Sequence, residues 1–331
     1  MLRRHALGLG ASAILATPTL VRAQGAAAGY PDRPIRFIVP FPAGGGTDTW
    51  ARIAAEPRQA ELGQPIIIDN RGGAGGMVGT EYAAKVPPDG YQLLFTITTH
   101  IQSPVVMNRF PYDPVADFAP IGRLGTTAVN FVVGPKVPAS VTTLAEFVAW
   151  AQGDGGREVS IANYAPGSTG HAFGLTLARE ARLNATQVSY RGEAPMLQDI
   201  LAGTVDGGFH SMAAAGEMVR ARRVRPLAAS GARRSPSLPD VPTLVELGYS
   251  NRFIFDGFSG LMAPARTPRP IVERLVAAFR KAAEAPVTHE RLLRIDTVPS
   301  YLGPDEFGSF VAAKLREWTE IAQELNLRVE S

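Results

Sequence analysis

The sequence predicts an α/β protein made of two neighbouring sets of strand, loop and helix, on three observations. Short apolar runs alternate with helical periodicities along the chain, as in sheets covered by helices on both faces. Loops rich in Gly and Pro separate each strand from the helix that follows. The length is one at which a single core stops growing, so two domains of roughly 150 residues each are expected.

The first 23 residues stand apart. Arg3 and Arg4 precede an apolar stretch from Ala6 to Leu20, and Val21-Arg22-Ala23 leads to Gln24, the three-part pattern of a removable export signal. About fifteen apolar residues broken by Pro18 are too few for a bilayer span, which takes about twenty, and nothing later is long enough. The chain reads as exported and not membrane-spanning, with the Arg pair leaving Sec and twin-arginine routes open. Of 331 residues, 33 are Lys or Arg and 30 are Asp or Glu. The leader holds three of the bases and no acid, so the remaining 308 residues carry 30 of each sign. A balanced chain gives bulk charge no part in binding nucleic acid or anionic membranes. The absence of cysteine excludes disulfides, thiolate metal sites and Cys nucleophiles.

After the leader, Ile35 to Val39 is a strand closed by Pro40, followed by the loop PFPAGGGTD and a helix carrying Trp50, Ile53, Ala54 and Leu62 to Gly63. Pro65 to Asp69 repeats the strand, RGGAGGMVG the glycine turn, and Thr80 to Lys85 the helix. Gln92 to Thr98 is the third strand, and the three together predict a parallel sheet. A second set begins at Asn130 to Val133, with a helix from Leu144 to Ala151 capped near Thr142 or Thr143. Val159 to Ala162 runs into NYAPGSTGH and a helix to about Arg182; Val188 to Tyr190 runs into RGEAP and a helix through Leu201. Val205 to Phe209 and Val224 to Ala229 complete the set. The Pro- and Ser-rich stretch Arg233 to Pro242 interrupts the pattern before the apolar Phe258 to Met262. Two helices finish the chain, with core stripes at Ile271, Leu275, Phe279 and Ala282 and at Phe307, Phe310, Leu315, Trp318, Ile321 and Leu325.

Several motifs invite an enzyme reading. Gly73, Gly75 and Gly79 follow a strand and precede a helix, but the next strand ends Thr96 to His100 without the acid that would hold a ribose; the glycines read as a tight turn. Ser168 in GSTGH would be a nucleophile elbow if glycine stood at Pro166, and no Asp is placed to orient His171; Ser168 reads as a helix cap. The histidines after the leader, His100, His171, His210 and His289, are scattered, so no metal site and no cofactor is expected. Arg220, Arg222, Arg223 and Arg225 form a solvated or docking face without interleaved aromatics.

What remains is shared by three loops. PFPAGGGTD, PGSTGH and RGEAP each leave a strand and open a helix, exposing backbone amides where the macrodipole also favours an anion. Two such loop sets facing across a cleft would hold a carboxylate without any arginine. On the residues alone, ordinary α/β connections remain the alternative to this reading.

A longer pattern settles more. YPDRPIRFIVPFPAGGGTDTWAR, GAGGMVGTEYAAKVPPDGY, TITTHIQSP, FPYDPVADFAPIG, GSTGH, SYRGEAPMLQDILAGTVDGGF, RRSPSLPDVPTLVELGY and GLMAPARTPRPIVERL occur in that order. Together they resemble the extracytoplasmic solute receptors of the tripartite tricarboxylate transporter type, the Bug family. The resemblance implies a two-domain, type II-like periplasmic-binding-protein fold, each domain a parallel or mixed sheet flanked by helices, with the ligand cleft between them. It places domain 1 at 24–126 plus 253–331 and domain 2 at 127–252. It implies a monomer that captures a small carboxylated metabolite in the periplasm for integral membrane transporter subunits. The implied ligand-binding residues are Phe41, Pro42, Ala43, Gly44, Gly45, Gly46, Thr47 and Asp48, then Thr98, Thr99 and His100. From the second domain come Ser168, Thr169, Tyr190, Arg191, Gly192, Glu193 and Ala194. Asp48 is expected to organise its loop instead of meeting the anion.

Three positions depart from the family pattern. His210 stands where Asp is common, Glu193 where a small residue is usual, and Gln102-Ser103 where Ile-Asn precedes Pro104. Ligand discrimination is expected to involve His210, and the ligand to differ from amino acids such as aspartate. The alternatives are an exported hydrolase or dinucleotide enzyme and a receptor that feeds a signalling partner.

Overall fold

The chain begins its first sheet with β1 (Ile35–Val39), whose residues are all buried except Arg36. In this computed structural model, residues 29–107, 111–153, 155–255 and 257–327 are described; the export signal expected over 1–23 lies outside the described residues. After β1 come α1 (Gly46–Leu62), β2 (Ile66–Asn70), a 3-10 turn at Ala74–Gly76, α2 (Met77–Lys85), β3 (Gln92–Ile97), α3 (Thr99–Val106) and β4 (Phe118–Thr127). The second run is β5 (Asn130–Val133), α4 (Leu144–Gln152), β6 (Val159–Asn163), α5 (Thr169–Glu180), β7 (Ala185–Ser189), α6 (Glu193–Ala202), β8 (Gly207–His210), α7 (Met212–Arg220) and β9 (Arg225–Ala229). Then come β10 (Gly257–Pro264), α8 (Arg269–Ala283), α9 (Pro286–Arg294), β11 (Thr297–Leu302) and α10 (Pro304–Glu324).

The strands form two sheets. One has six strands in the order β11-β4-β10-β3-β1-β2, the other five in the order β7-β6-β8-β5-β9. Both are mixed. β1 is parallel to β2 and β3, but β10 runs antiparallel to β3 and β4, and β11 antiparallel to β4. The parallel reading of the first three strands therefore holds only for that half of the sheet, because β10 returns from the second sheet in the opposite direction. In the second sheet β6 is parallel to β7 and β8, and β5 is antiparallel to β8 and β9.

Five elements went unread in the sequence: β4, β11, α3, α7 and α9. Pro120, Gly122 and Gly125 dilute the strand signal of β4, and its pairing with β10 carries two register shifts, the device by which a paired strand accommodates a residue without an amide proton. β11 tolerates Pro299 because it lies at the sheet edge. α3 contains Pro104, which removes the hydrogen bond to the carbonyl four residues earlier; that carbonyl, of His100, accepts the Tyr112 hydroxyl at 3.0 Å instead. Thr143, not Thr142, caps α4: its Oγ1 accepts the Glu146 amide, and the Glu146 carboxylate accepts the Thr143 amide in return. The glycine turn does structural work: a Cβ at Gly79 would lie 2.5 Å from the Arg71 carbonyl and 2.8 Å from the Pro40 Cα. That close approach lets α2 pack on β1, in agreement with the tight-turn reading.

The chain passes between sheets at Thr127 to Asn130 and between Ala229 and Gly257. It also joins them a third time through α10. Phe307 and Val311 near the start of this helix lie in a core with Ile38, Leu94 and Met262 of the first sheet. Trp318 and Ala322 lie in the core of the second sheet with Phe173 and Phe253, and the Trp318 ring stands 5.3 Å from that of Phe255. The helix stripe read from the sequence thus serves two cores. Truncating Trp318, 1% exposed, to Ala is expected to cost about 3–5 kcal/mol, measurable as a lowered midpoint in urea; Phe310→Ala, at a half-buried position, is expected to cost less.

Candidate functional site

Between the two sheets lies a cavity of about 30 Å³, room for roughly one or two waters. It sits where the chain crosses: Thr127 and Val129 line it from one crossing, Ser230, Phe255 and Gly257 from the other. The ends of β3 and β6 and the helices they feed close it. Thr98 and Thr99 come from the start of α3, Tyr164 from just after the end of β6 and Thr169 from the start of α5. Among the described residues that line it there is no Lys, Arg or His, and the one charged side chain is Glu193.

The hydroxyls around the cavity are mostly committed. Thr98 Oγ1 accepts the Phe258 amide at 2.8 Å, Ser230 Oγ accepts the Val129 amide at 3.0 Å, and Thr169 Oγ1 accepts Gln102 Nε2 at 2.9 Å, tying α3 to α5 across the lobes. Thr99 is the exception. It is 2% exposed, and its Oγ1 has no partner, a costly arrangement for a buried hydroxyl.

Beside the cavity three helix starts converge on one carboxylate. Glu193, the first residue of α6, accepts the Gly46 amide at 3.1 Å and the Ser211 hydroxyl at 2.9 Å on Oε2, and the Ser211 amide at 2.6 Å on Oε1. Gly46 opens α1 and Ser211 caps α7, so the side chain occupies the place where unsatisfied amides and helix dipoles favour an anion. A side chain at Gly46 would collide with Glu193 Oε2 and Ser211 Oγ. Glycine is needed there for backbone approach.

Residues 50–327 match the tripartite tricarboxylate transporter family receptor. The chain belongs to that family. Three solved structures support the assignment. The periplasmic binding protein BugD is 28% identical, with TM-score 0.83, covering 91% of this chain and 100% of its own. MatC from Rhodopseudomonas palustris, solved with malate, is 30% identical with TM-score 0.77, covering 88% and 99%. An R. palustris protein solved with adipate is 30% identical with TM-score 0.85, covering 90% and 99%. The protein is a solute-binding receptor of this family and not an enzyme.

In the receptor the expected contact residues separate into groups. Thr98, Thr99, Thr169 and Glu193 line the cavity. The loop from Phe41 to Gly46 instead faces α6: Pro42 packs near Gly192, and Gly45 near Ala194. Phe41 and Thr47 are buried, while Ala43 and Gly44 are exposed. Asp48 organises its loop as expected, accepting Gly44 N, Asn70 Nδ2 and both Arg52 nitrogens. Burial raises its pKa, but the hydrogen bonds from Arg52, Gly44 and Asn70 outweigh this and hold the carboxyl below its ordinary value.

Other expected contact residues lie outside this cavity. Tyr190 turns to Asp199, to which its hydroxyl donates at 2.7 Å, and Arg191 is exposed; both follow the edge strand β7 and neither lines the cavity. Ser168 caps α5 by accepting the His171 amide at 3.2 Å, and His171 Nδ1 accepts the Gly167 amide at 3.0 Å, so no imidazole is aimed at the hydroxyl. His210 is fully buried, with Nδ1 3.6 Å from Glu193 Oε1; it stands behind Glu193, outside the cavity lining. His100 points into the first lobe, where its ring stacks on Tyr112 and meets Phe118 edge-on, and Nε2 donates to the Pro114 carbonyl at 2.8 Å.

The sequence reading missed Trp50, Tyr164, Ser211, Ser230 and Phe255 as site residues. Trp50 and Phe255 carry packing patterns, and Trp50 Nε1 donates to Thr297 at 2.8 Å. Burial, with the Glu193 charge second, raises the Tyr164 phenol and keeps it protonated. Ser211 had a readable signal, a Ser directly before Met-Ala-Ala-Ala, which is a helix cap.

Desolvation lowers the pKa of His100 and of His171 to about 4. Both stay neutral in the folded chain while the unfolded chain takes up protons near 6.5, so folding stability is complete above that pH and falls as pH drops from about 6.5 to 4. Urea midpoints are expected to decline across this window, and His100→Gln to flatten the decline; an unchanged slope would contradict the neutral, buried assignment.

Proposed function

We propose that the protein captures a small organic carboxylate in the cavity between its sheets and delivers it to integral membrane transporter subunits. The observation that carries this reading is the unpartnered Thr99 hydroxyl, buried in the wall of a cavity onto which one helix of each lobe opens. A carboxylate oxygen accepts what that hydroxyl has to donate, and helix starts at Thr99 and Thr169 favour the negative charge without a cationic side chain. The malate and adipate structures of relatives support the ligand class. The exported-enzyme alternative has no support in the geometry of Ser168 and His171.

The proposed division into 24–126 plus 253–331 and 127–252 is supported by the presence of two sheets and qualified by the end of α10, which packs in the second core. A cavity of about 30 Å³ admits a ligand of several carbons only when the lobes part, and the crossings beside it supply the hinge. The protein acts as a monomer in the periplasm, exported by its leader, and a sensor partner in place of a transporter would use the same closure. A carboxylate bound by the folded state alone stabilises it by about 2.7 kcal/mol at one hundred times its Kd. Thermal-shift screening against mono-, di- and tricarboxylates is expected to raise Tm for at least one, and Thr99→Val to weaken that ligand about tenfold by calorimetry. A screen in which no carboxylate raises Tm would sink this reading.

A further inference from the structure

The family reading explains a carboxylate-binding cleft, yet the one charged side chain in its wall is itself a carboxylate. Glu193 already takes the Gly46 amide of one lobe and the Ser211 amide and hydroxyl of the other. The donors at this end of the site are therefore spent. We propose that Glu193 is a specificity residue that fills the place of a ligand's second carboxylate, so that the receptor selects a monocarboxylate carrying a hydroxyl or amino donor at its far end. This inference rests on the proposed carboxylate-binding function of the same cavity.

A second carboxylate reaching Glu193 would find acceptors where it needs donors, and a like charge in a buried site screened little by solvent. A carboxylate offers about four acceptor positions, of which Gly46 and Ser211 fill three, two on Oε2 and one on Oε1. A ligand hydroxyl or ammonium would supply the fourth. His210 Nδ1, 3.6 Å from Oε1, is the nearest competing donor, but it lies beyond hydrogen-bond distance and neither ring nitrogen has a hydrogen-bond partner, so a ligand donor would compete with an unmade bond. Elsewhere in the cavity wall, Thr99 keeps its unpartnered hydroxyl for a single ligand carboxylate.

Matched ligands test this. Succinate would be compared with 4-hydroxybutyrate and 4-aminobutyrate, and adipate with 6-hydroxyhexanoate and 6-aminohexanoate, by calorimetry on the native protein and on Glu193→Ala and Glu193→Gln. The native receptor is expected to prefer the donor-bearing monocarboxylate to its matched dicarboxylate by at least about tenfold. Glu193→Ala, which frees the Gly46 and Ser211 donors, is expected to reverse that order, and Glu193→Gln to narrow it. A native receptor that binds a dicarboxylate as tightly as its monocarboxylate partner overturns the specificity assignment while leaving the carboxylate function intact. Binding of neither class to the native protein overturns both. If Glu193→Ala does not fold, the native preference alone decides.

Discussion

The first amides of a helix have no carbonyl of their own helix to reach, and this protein is arranged around where those amides find partners. At α1 and α7 the partner is a side chain carried by a third helix, so one carboxylate holds elements of both lobes. At α3 and α5 the first turns open instead on the cavity wall. A buried amide left without an acceptor is costly in a low-dielectric interior. The carboxylate of Glu193 thus closes one side of the cavity, while the unpartnered Thr99 hydroxyl stands in its wall.

That division depends on how the chain returns. β10 is buried along its whole length and enters the first sheet between β3 and β4, so the segment leading into it passes directly beside the cavity. Thr98, which ends β3, spends its hydroxyl on the amide of Phe258, and the floor of the site is thereby stitched to the strand that follows the crossing. A movement at the crossing would therefore also move the floor of the site.

The alternation of strands and helices was legible in the sequence because it rests on local periodicity, and the anion-favouring loops were legible because a strand followed by Gly, Ser or Thr and a helix has a local signature. The direction of β10 was not, since it follows from a return across more than a hundred residues. His100 was read with the loop it adjoins, but its ring is claimed by Tyr112 and Phe118, contacts that no local pattern displays. Glu193 was visible as a departure from the family pattern. Its partners were not, because Gly46 lies 147 residues away and Ser211 was unread as a helix cap. Tyr190 and Arg191 stand outside the cavity lining and follow an edge strand, a property of sheet order that no local pattern displays.

The last helix has a mechanical consequence. Phe307 anchors it in one core and Trp318 in the other, and a hydrogen-bonded helix does not stretch. The distance between those two anchor points is thus nearly constant, like the axle of a gate, and lobes that parted would gain separation only on the side away from it.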